Sequence, residues 1–251
     1  MDEPSQRPTP LLRWRGGLLK LECLRPAGGV DDRALGIFPP LARGARASLA
    51  ATAGGALAAA GWARRRGVEL NVALYGAASH EMIEALRLWG PTFERVPTRE
   101  EALRRAREVG GELLPPLDGA RAAVELARTV GEELLHDVSS PPEFVIAPAG
   151  ASAALLGTVQ ALRTRWPRVR AIALVAADEE LPELPRGGEF PGVEARAISF
   201  TDASRARSDL ARSAGVLASH AAAAAAILAG EGGLAIVTSA GEREFSLERA
   251  R

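Results

Sequence analysis

The chain has 251 residues, enough for one large domain or two small ones, and its 31 basic and 31 acidic residues cancel. Balanced charge excludes the one-signed surface that nucleic acid or an anionic membrane demands, so neither is expected as a partner. The single cysteine, Cys23, excludes an intrachain disulfide and a cysteine-based zinc site, and its apolar neighbours predict a buried thiol.

The opening MDEPSQRPTP is polar and proline-rich, so no signal peptide and a cytoplasmic location are expected. Gly17 to Leu24 reads as a strand, and Ala47 to Arg66 as one long helix whose basic end, Arg64-Arg65-Arg66, is solvated. Glu69 to Tyr75 alternates as a strand. Ser79 to Trp89 has helical spacing, with Met82, Ile83, Leu86 and Leu88 on or near one face. A short strand covers Phe93 to Val96, and Thr98 opens a helix to Val109 with the capping pattern Thr-Arg-Glu-Glu. Gly110-Gly111 and Pro115-Pro116 mark a boundary between lobes. This divides the chain into a smaller lobe, 31–116, and a larger one made of 1–30 and 117–251.

Beyond the boundary a helix is expected over Gly119 to Leu135, a buried strand over Glu143 to Ala147, a helix over Ala151 to Arg165 and a strand over Val169 to Ala176. A Pro/Gly/Glu-rich loop covers roughly 178–193. A strand near Val193 to Ser199, helices near Ser204 to Ser213 and Ala221 to Leu228, and a strand from Leu234 to Thr238 complete the series, with a frayed tail from Gly241. The apolar run from Ala214 to Gly230 is too short and too mild to span a membrane. Strands alternating with helices predict an α/β fold with mostly parallel sheets flanked by helices.

Two strand-to-helix turns of small residues could cradle an anion on free backbone N–H groups. One is Gly150-Ala151-Ser152-Ala153-Ala154 after Val145-Ile146-Ala147-Pro148. The other is Ala51-Thr52-Ala53-Gly54-Gly55, where Thr52 is a candidate N-cap. Close packing explains either turn equally well. His220, beside Ser219, reads as a polar site contact or as a capping or core histidine. His80 and His136 have no metal-ligand partners at the right spacing, and no metal is expected. Glu132-Glu133 and Glu179-Glu180 read as solvated charge runs. No Gly-x-Ser-x-Gly, His-Glu-x-x-His or Walker-type motif occurs.

Taken in order, several blocks resemble the fold-type II pyridoxal-phosphate enzymes, the tryptophan synthase β-like family that includes cysteine synthases, threonine synthases, and serine and threonine dehydratases. Thr9-Pro10-Leu11 is similar to the family's opening Thr-Pro-Leu. Lys20-Leu21-Glu22 is similar to its Lys-Leu-Glu strand, and Pro26 to Arg33 to its Asn-Pro-x-x-Ser-x-Lys-Asp-Arg segment. Residues 51–57 fall where the family has Thr-Ser-Gly-Asn-Thr-Gly, and 150–154 where it has its phosphate loop. Gly215-Val216-Leu217 resembles its Gly-Ile-Leu. Val237-Thr238-Ser239 resembles the terminal strand whose hydroxyl meets the pyridine nitrogen. The resemblance covers nearly the whole chain and implies a two-lobed fold and pyridoxal phosphate as cofactor. It also implies a homodimer, or a heterodimer with a paralogue.

It further assigns positions. Gly150, Ala151, Ser152, Ala153, Ala154, Gly54, Thr238 and Ser239 fall on the cofactor side, and Ala51, Thr52, Ala53 and Gly55 on the substrate side. The Schiff-base position is Asp31, and Gly54 stands where an asparagine holds the cofactor's 3-hydroxyl. The only lysine is Lys20, eleven positions upstream, which resembles the family's separate strand lysine. Arginine cannot stand in for a Schiff-base lysine, because it stays protonated and has no amine lone pair to attack a carbonyl. The expectation is therefore a pseudoenzyme with no catalytic residue, binding a small molecule or a partner. The alternatives are a lyase or dehydratase acting on serine- or threonine-like amino acids, with Lys20 as substitute, and a structural subunit pairing with an active paralogue.

Overall fold

Strands and helices alternate along the chain, and the strands sort into two sheets. The protein is described by a computed structural model covering residues 7–177, 192–230 and 232–241. A hairpin of β1 (Leu11–Trp14) and β2 (Gly17–Lys20) leads through a 3-10 turn, Glu22–Leu24, to the short α1 (Asp31–Ala34). Then come β3 (Arg46–Ala51), α2 (Ala53–Arg66), β4 (Glu69–Leu74), α3 (His80–Trp89), β5 (Thr92–Arg95), α4 (Arg99–Val109) and β6 (Glu112–Leu113). The second half holds α5 (Ala120–Leu126), α6 (Glu132–Asp137), β7 (Phe144–Pro148), α7 (Ser152–Arg165), β8 (Arg170–Ala176) and β9 (Glu194–Ile198). It closes with α8 (Phe200–Ala214), α9 (His220–Ala229) and β10 (Leu234–Ile236).

The four-stranded sheet has the order β5-β4-β3-β6 and is parallel throughout. The six-stranded sheet has the order β1-β2-β10-β7-β8-β9, with only β1 antiparallel to its neighbour. One continuous apolar core links them, running from Leu49 and Val72 through Val30, Ala34 and Leu126 to Val145 and Ile236. A second core lies on the other face of the larger sheet, where the alanines of α9 pack against β2, β7, β10 and α8. Helix starts follow local chemistry. Ser79, Thr98, Ser199 and Ser219 each accept a bond from the backbone N–H three residues on.

Several elements differ from expectation, each for a tertiary reason. Ala47 to Arg66 divides into β3 and α2, with Thr52 extended between them (φ −69°, ψ 167°). β3 is buried along nearly its whole length, so no alternation betrays it, and alanine suits both states. The strand expected over Gly17–Leu24 stops at Lys20, because the following turn swings Glu22 back towards Arg25 and Arg33. The helix expected over 119–135 is interrupted by a π turn, Ala127–Gly131. On α3, Leu86 is buried while Leu88 is 87% exposed, about 200° away around the helix. α8 begins at Phe200 rather than Ser204, because Ser199 caps it and Phe200 packs on His220, ring centroids 4.9 Å apart. Most of the expected 178–193 loop, with Glu179 and Glu180, and the tail beyond Gly241 lie outside the described residues.

Close helix packing rests on individual glycines. A Cβ on Gly157 of α7 would lie 2.2 Å from the Ala123 carbonyl oxygen and 2.9 Å from the Ala127 nitrogen of the neighbouring helix. Both are backbone atoms, which cannot swing aside. Gly157→Ala is expected to cost about 1–3 kcal/mol, read as a lower urea midpoint with an unchanged slope. An unchanged midpoint would mean that the two helices separate freely.

Candidate functional site

In parallel α/β sheets, ligands bind beyond the carboxyl ends of the strands, where helix N-termini also point. Here β3 ends at Ala51 and runs through Thr52 into α2, while β7 ends at Pro148 and runs through a 3-10 turn, Ala149–Ala151, into α7. The side chains divide in two ways. Ala51, Ala53, Ala153 and Ala154 are sealed in the apolar core. Thr52, Gly54, Ala151 and Ser152 are half-buried and Gly150 is exposed, so these line accessible surface. Gly55 is buried, with Ala51 and Leu117 at ordinary contact distance from where a Cβ would stand. Thr52 occupies the N-cap position of α2, but its hydroxyl makes no cap bond, contrary to expectation.

The segment carrying Asp31 meets the last strand's loop. The Val30 N–H donates to the Thr238 oxygen (3.0 Å), and Gly29 forms a bridge with Ser239. Asp31 itself is half-buried and begins α1, which packs against α2 and α5. Thr238 is buried, and the half-buried Ser239 donates its hydroxyl to Ser219 Oγ at 2.7 Å. Ser219 in turn caps α9. The fold thus brings residues 29–31 and 238–239 together, with α1 resting on the helix that follows the 51–55 turn.

Lys20 lies apart from them. Its side chain is fully buried, and its ammonium donates to the Thr9 carbonyl (2.9 Å) and ion-pairs with Glu133 (2.7 Å), with Asp137 at 3.8 Å. Glu133 also pairs with Arg33, whose guanidinium reaches Glu22 at 3.0 Å, and Glu22 further accepts from Thr9 and Arg25. Burial pushes the Glu22 carboxyl above the usual carboxylate range, while Arg33, Thr9 and Lys20 pull it back. One expectation changes here. Glu133 is not part of a solvated run, because the turn of α6 presents it to Lys20 and Arg33; Glu132 alone faces solvent. The Lys20 amine is held in this ion cluster with no solvent exposure of its own.

A third cluster carried no motif in the sequence. Tyr75, just past β4, donates its hydroxyl to Asp118, and Arg99 grips the same carboxylate with two bonds of 3.1 and 3.2 Å. Burial and the Asp118 charge push the Tyr75 phenol above its ordinary value. Leu117 lies near Gly55 and the Tyr75 N–H donates to the Ala51 oxygen, so this cluster borders the 51–55 turn. Only the scarcity of tyrosine, one in the chain, could have flagged it. His220 is a buried core residue on α9 against Phe200. Among the described residues no group of three or more His, Cys, Asp or Glu side chains is placed to hold a metal ion, and no helix is long and apolar enough to cross a membrane.

Two helix-flanked, mostly parallel sheets with small-residue turns at their strand ends define an α/β protein of the fold-type II pyridoxal-phosphate class. Solved structures agree on the fold. O-ureido-L-serine synthase superposes with a TM-score of 0.76 at 21% identity, over 95% of this chain and 90% of that one. The O-acetylserine dependent cystathionine beta-synthase of Helicobacter pylori gives 0.77 at 19% identity, over 96% and 95%. The family model of pyridoxal-phosphate dependent enzymes matches residues 3–241, and the chain belongs to that family. A curated relative, the N-(2-amino-2-carboxyethyl)-L-glutamate synthase of Ralstonia nicotianae, is 27% identical over 199 residues, 71% of this chain. The match spans 59% of that relative's length. Pyridoxal phosphate is the cofactor the family implies.

Proposed function

We propose that this chain is a divergent member of its family that no longer holds pyridoxal phosphate covalently and instead binds a small amino-acid-like molecule beside the small-residue turns at the ends of β3 and β7. The observation that carries this reading is the state of Lys20. It is the only lysine, and it is sealed in an ion cluster with Glu133 and the Thr9 carbonyl. Bound pyridoxal phosphate supplies an aldehyde to capture an amine and an electron sink for chemistry at the α-carbon. The donor set does not fit that role. The resemblance puts a carboxylate, Asp31, where the amine belongs, Gly54 where an amide side chain belongs, and alanines through most of the phosphate loop. The backbone N–H groups at the start of α7 can still meet an anion such as a carboxylate. The relatives are named as synthases of amino-acid products, which directs the ligand class to amino acids.

The test uses the purified full chain with added pyridoxal phosphate, reduction by borohydride and peptide mapping. No adduct is expected on Lys20, and any label falls on the N-terminal amine. A stoichiometric adduct on Lys20 would favour the working lyase or dehydratase and sink the pseudoenzyme. Serine-like amino acids are expected to raise the melting temperature in proportion to ligand concentration. No shift with any of them would remove the ligand-binding half of the proposal and leave the structural subunit.

A further inference from the structure

At the opposite end of the smaller sheet lies a groove of about 900 Å³, within the range of small-molecule sites. It is built at the amino ends of β3, β4 and β5, beside the carboxyl ends of α2 and α3. β3 is six residues long, which separates the groove from the 51–55 turn by about 20 Å.

Its charge is unbalanced. Arg43, Arg46 and Arg64 line it, and the one acidic lining residue, Glu69, is taken by Arg46 at 3.1 Å. Arg43 and Arg64 have no ion-pair or hydrogen-bond partner among the described residues. Two positive charges therefore remain. The carboxyl ends of α2 and α3 carry about half a negative charge each, which offsets roughly one of them. The groove keeps a surplus of about one positive charge.

Two of its walls are held in place. A Cβ on Gly61 would stand 1.8 Å from the Trp89 ring, so the indole is seated directly on α2. Gly67, at φ +66°, ends that helix, and the Arg43 stem lies across it, with Cγ 2.8 Å from where a Cβ would be. The Gly44 N–H fixes the same corner by donating to the Gly67 oxygen at 2.7 Å. Arginines suit phosphate through forked, charge-assisted bonds, and an indole offers a flat apolar face. A free inorganic ion would use only the first of these features.

The geometry points to a second binding site, distinct from the 51–55 and 150–154 turns, for a small organic phosphate that carries a flat ring. The arginines take the phosphate and the Trp89 side takes the ring. ADP is the probe, with inorganic phosphate and adenosine as its separated halves, titrated calorimetrically into the full chain at low salt. ADP is expected to bind at one site, more tightly than either half, and the Arg43→Ala/Arg64→Ala double variant is expected to weaken it about tenfold or more. Both side chains are exposed, so the variant should keep its circular dichroism and melting temperature. If it does not, Arg64→Glu alone, on the exposed last turn of α2, must show the same loss. ADP is also expected to quench tryptophan fluorescence in the native chain, and Trp89→Phe to abolish that quench. No ADP binding at millimolar concentration, binding unchanged in the arginine variants, or a quench that survives Trp89→Phe would each overturn the assignment.

Discussion

Glu22→Ala is expected to lower the unfolding free energy by about 3–5 kcal/mol, measured by urea denaturation at neutral pH. Glu22 is fully buried, and its two oxygens accept from Thr9 (2.6 Å), Arg25 Nε (3.1 Å), Arg33 Nε (3.0 Å) and Arg33 Nη2 (3.0 Å). Truncation takes the carboxylate away from two buried guanidiniums, Arg25 and Arg33, of which Arg33 keeps its pair with Glu133. Charges already removed from solvent lose most when one partner is deleted, because the others stay buried with less compensation. Lys20→Met provides the internal comparison. It removes a buried cation, but Glu133 keeps Arg33 and is itself 16% exposed. Its cost should be about half that of Glu22→Ala or less. If Glu22→Ala costs under about 1 kcal/mol, the cluster is not the tie between β2, α1 and α6 that its geometry indicates.

The second large effect is a gain. Asp31→Lys is expected to capture pyridoxal phosphate as a borohydride-stable adduct at residue 31, where the native chain captures none. Residue 31 follows Val30, which is bonded to Thr238, and it opens the helix that packs on α2. An amine there would stand beside the 238–239 loop and near the helix that the 51–55 turn begins. Asp31 is half-buried and lies outside the Lys20–Glu133–Arg33 cluster, and a cation in the first turn of so short a helix loses a few tenths of a kcal/mol. A folded variant with no adduct would mean that residue 31 does not face the cofactor position, or that the packing around the 51–55 and 150–154 turns excludes the ring. The first would remove the reading of Asp31 as the replaced lysine; the second would leave that register standing and mark the pocket as closed.

Periodic and punctuated features were legible from the residues. The cap at Thr98, the helix beginning near Ser79 and the strands β4, β7 and β8 lie within a residue or two of expectation, because their signals are local. The small-residue turns were legible too, as strand-to-helix turns. β3 was not, since an alanine-rich segment covered by helices on both faces reads as readily as helix. The π turn was not legible either. It depends on Gly131 meeting Ala161 and on Gly157 meeting Ala123, contacts between helices some thirty residues apart in the chain.

Order of elements, loss of lysine everywhere but Lys20, and the small side chains at 51–55 and 150–154 are properties of the sequence itself. They determined the α/β class and the family resemblance, because composition and alternation need no partner. What became of the lone lysine was decided by tertiary structure. In sequence Glu133 is half of an exposed-looking acidic pair, and Thr9 belongs to a polar leader. Only the packing of β2 against α6 and the N-terminal segment puts both within 3 Å of Lys20. Whether an amine is a nucleophile or a structural cation depends on which charges share its burial, and that is settled by residues more than a hundred positions away.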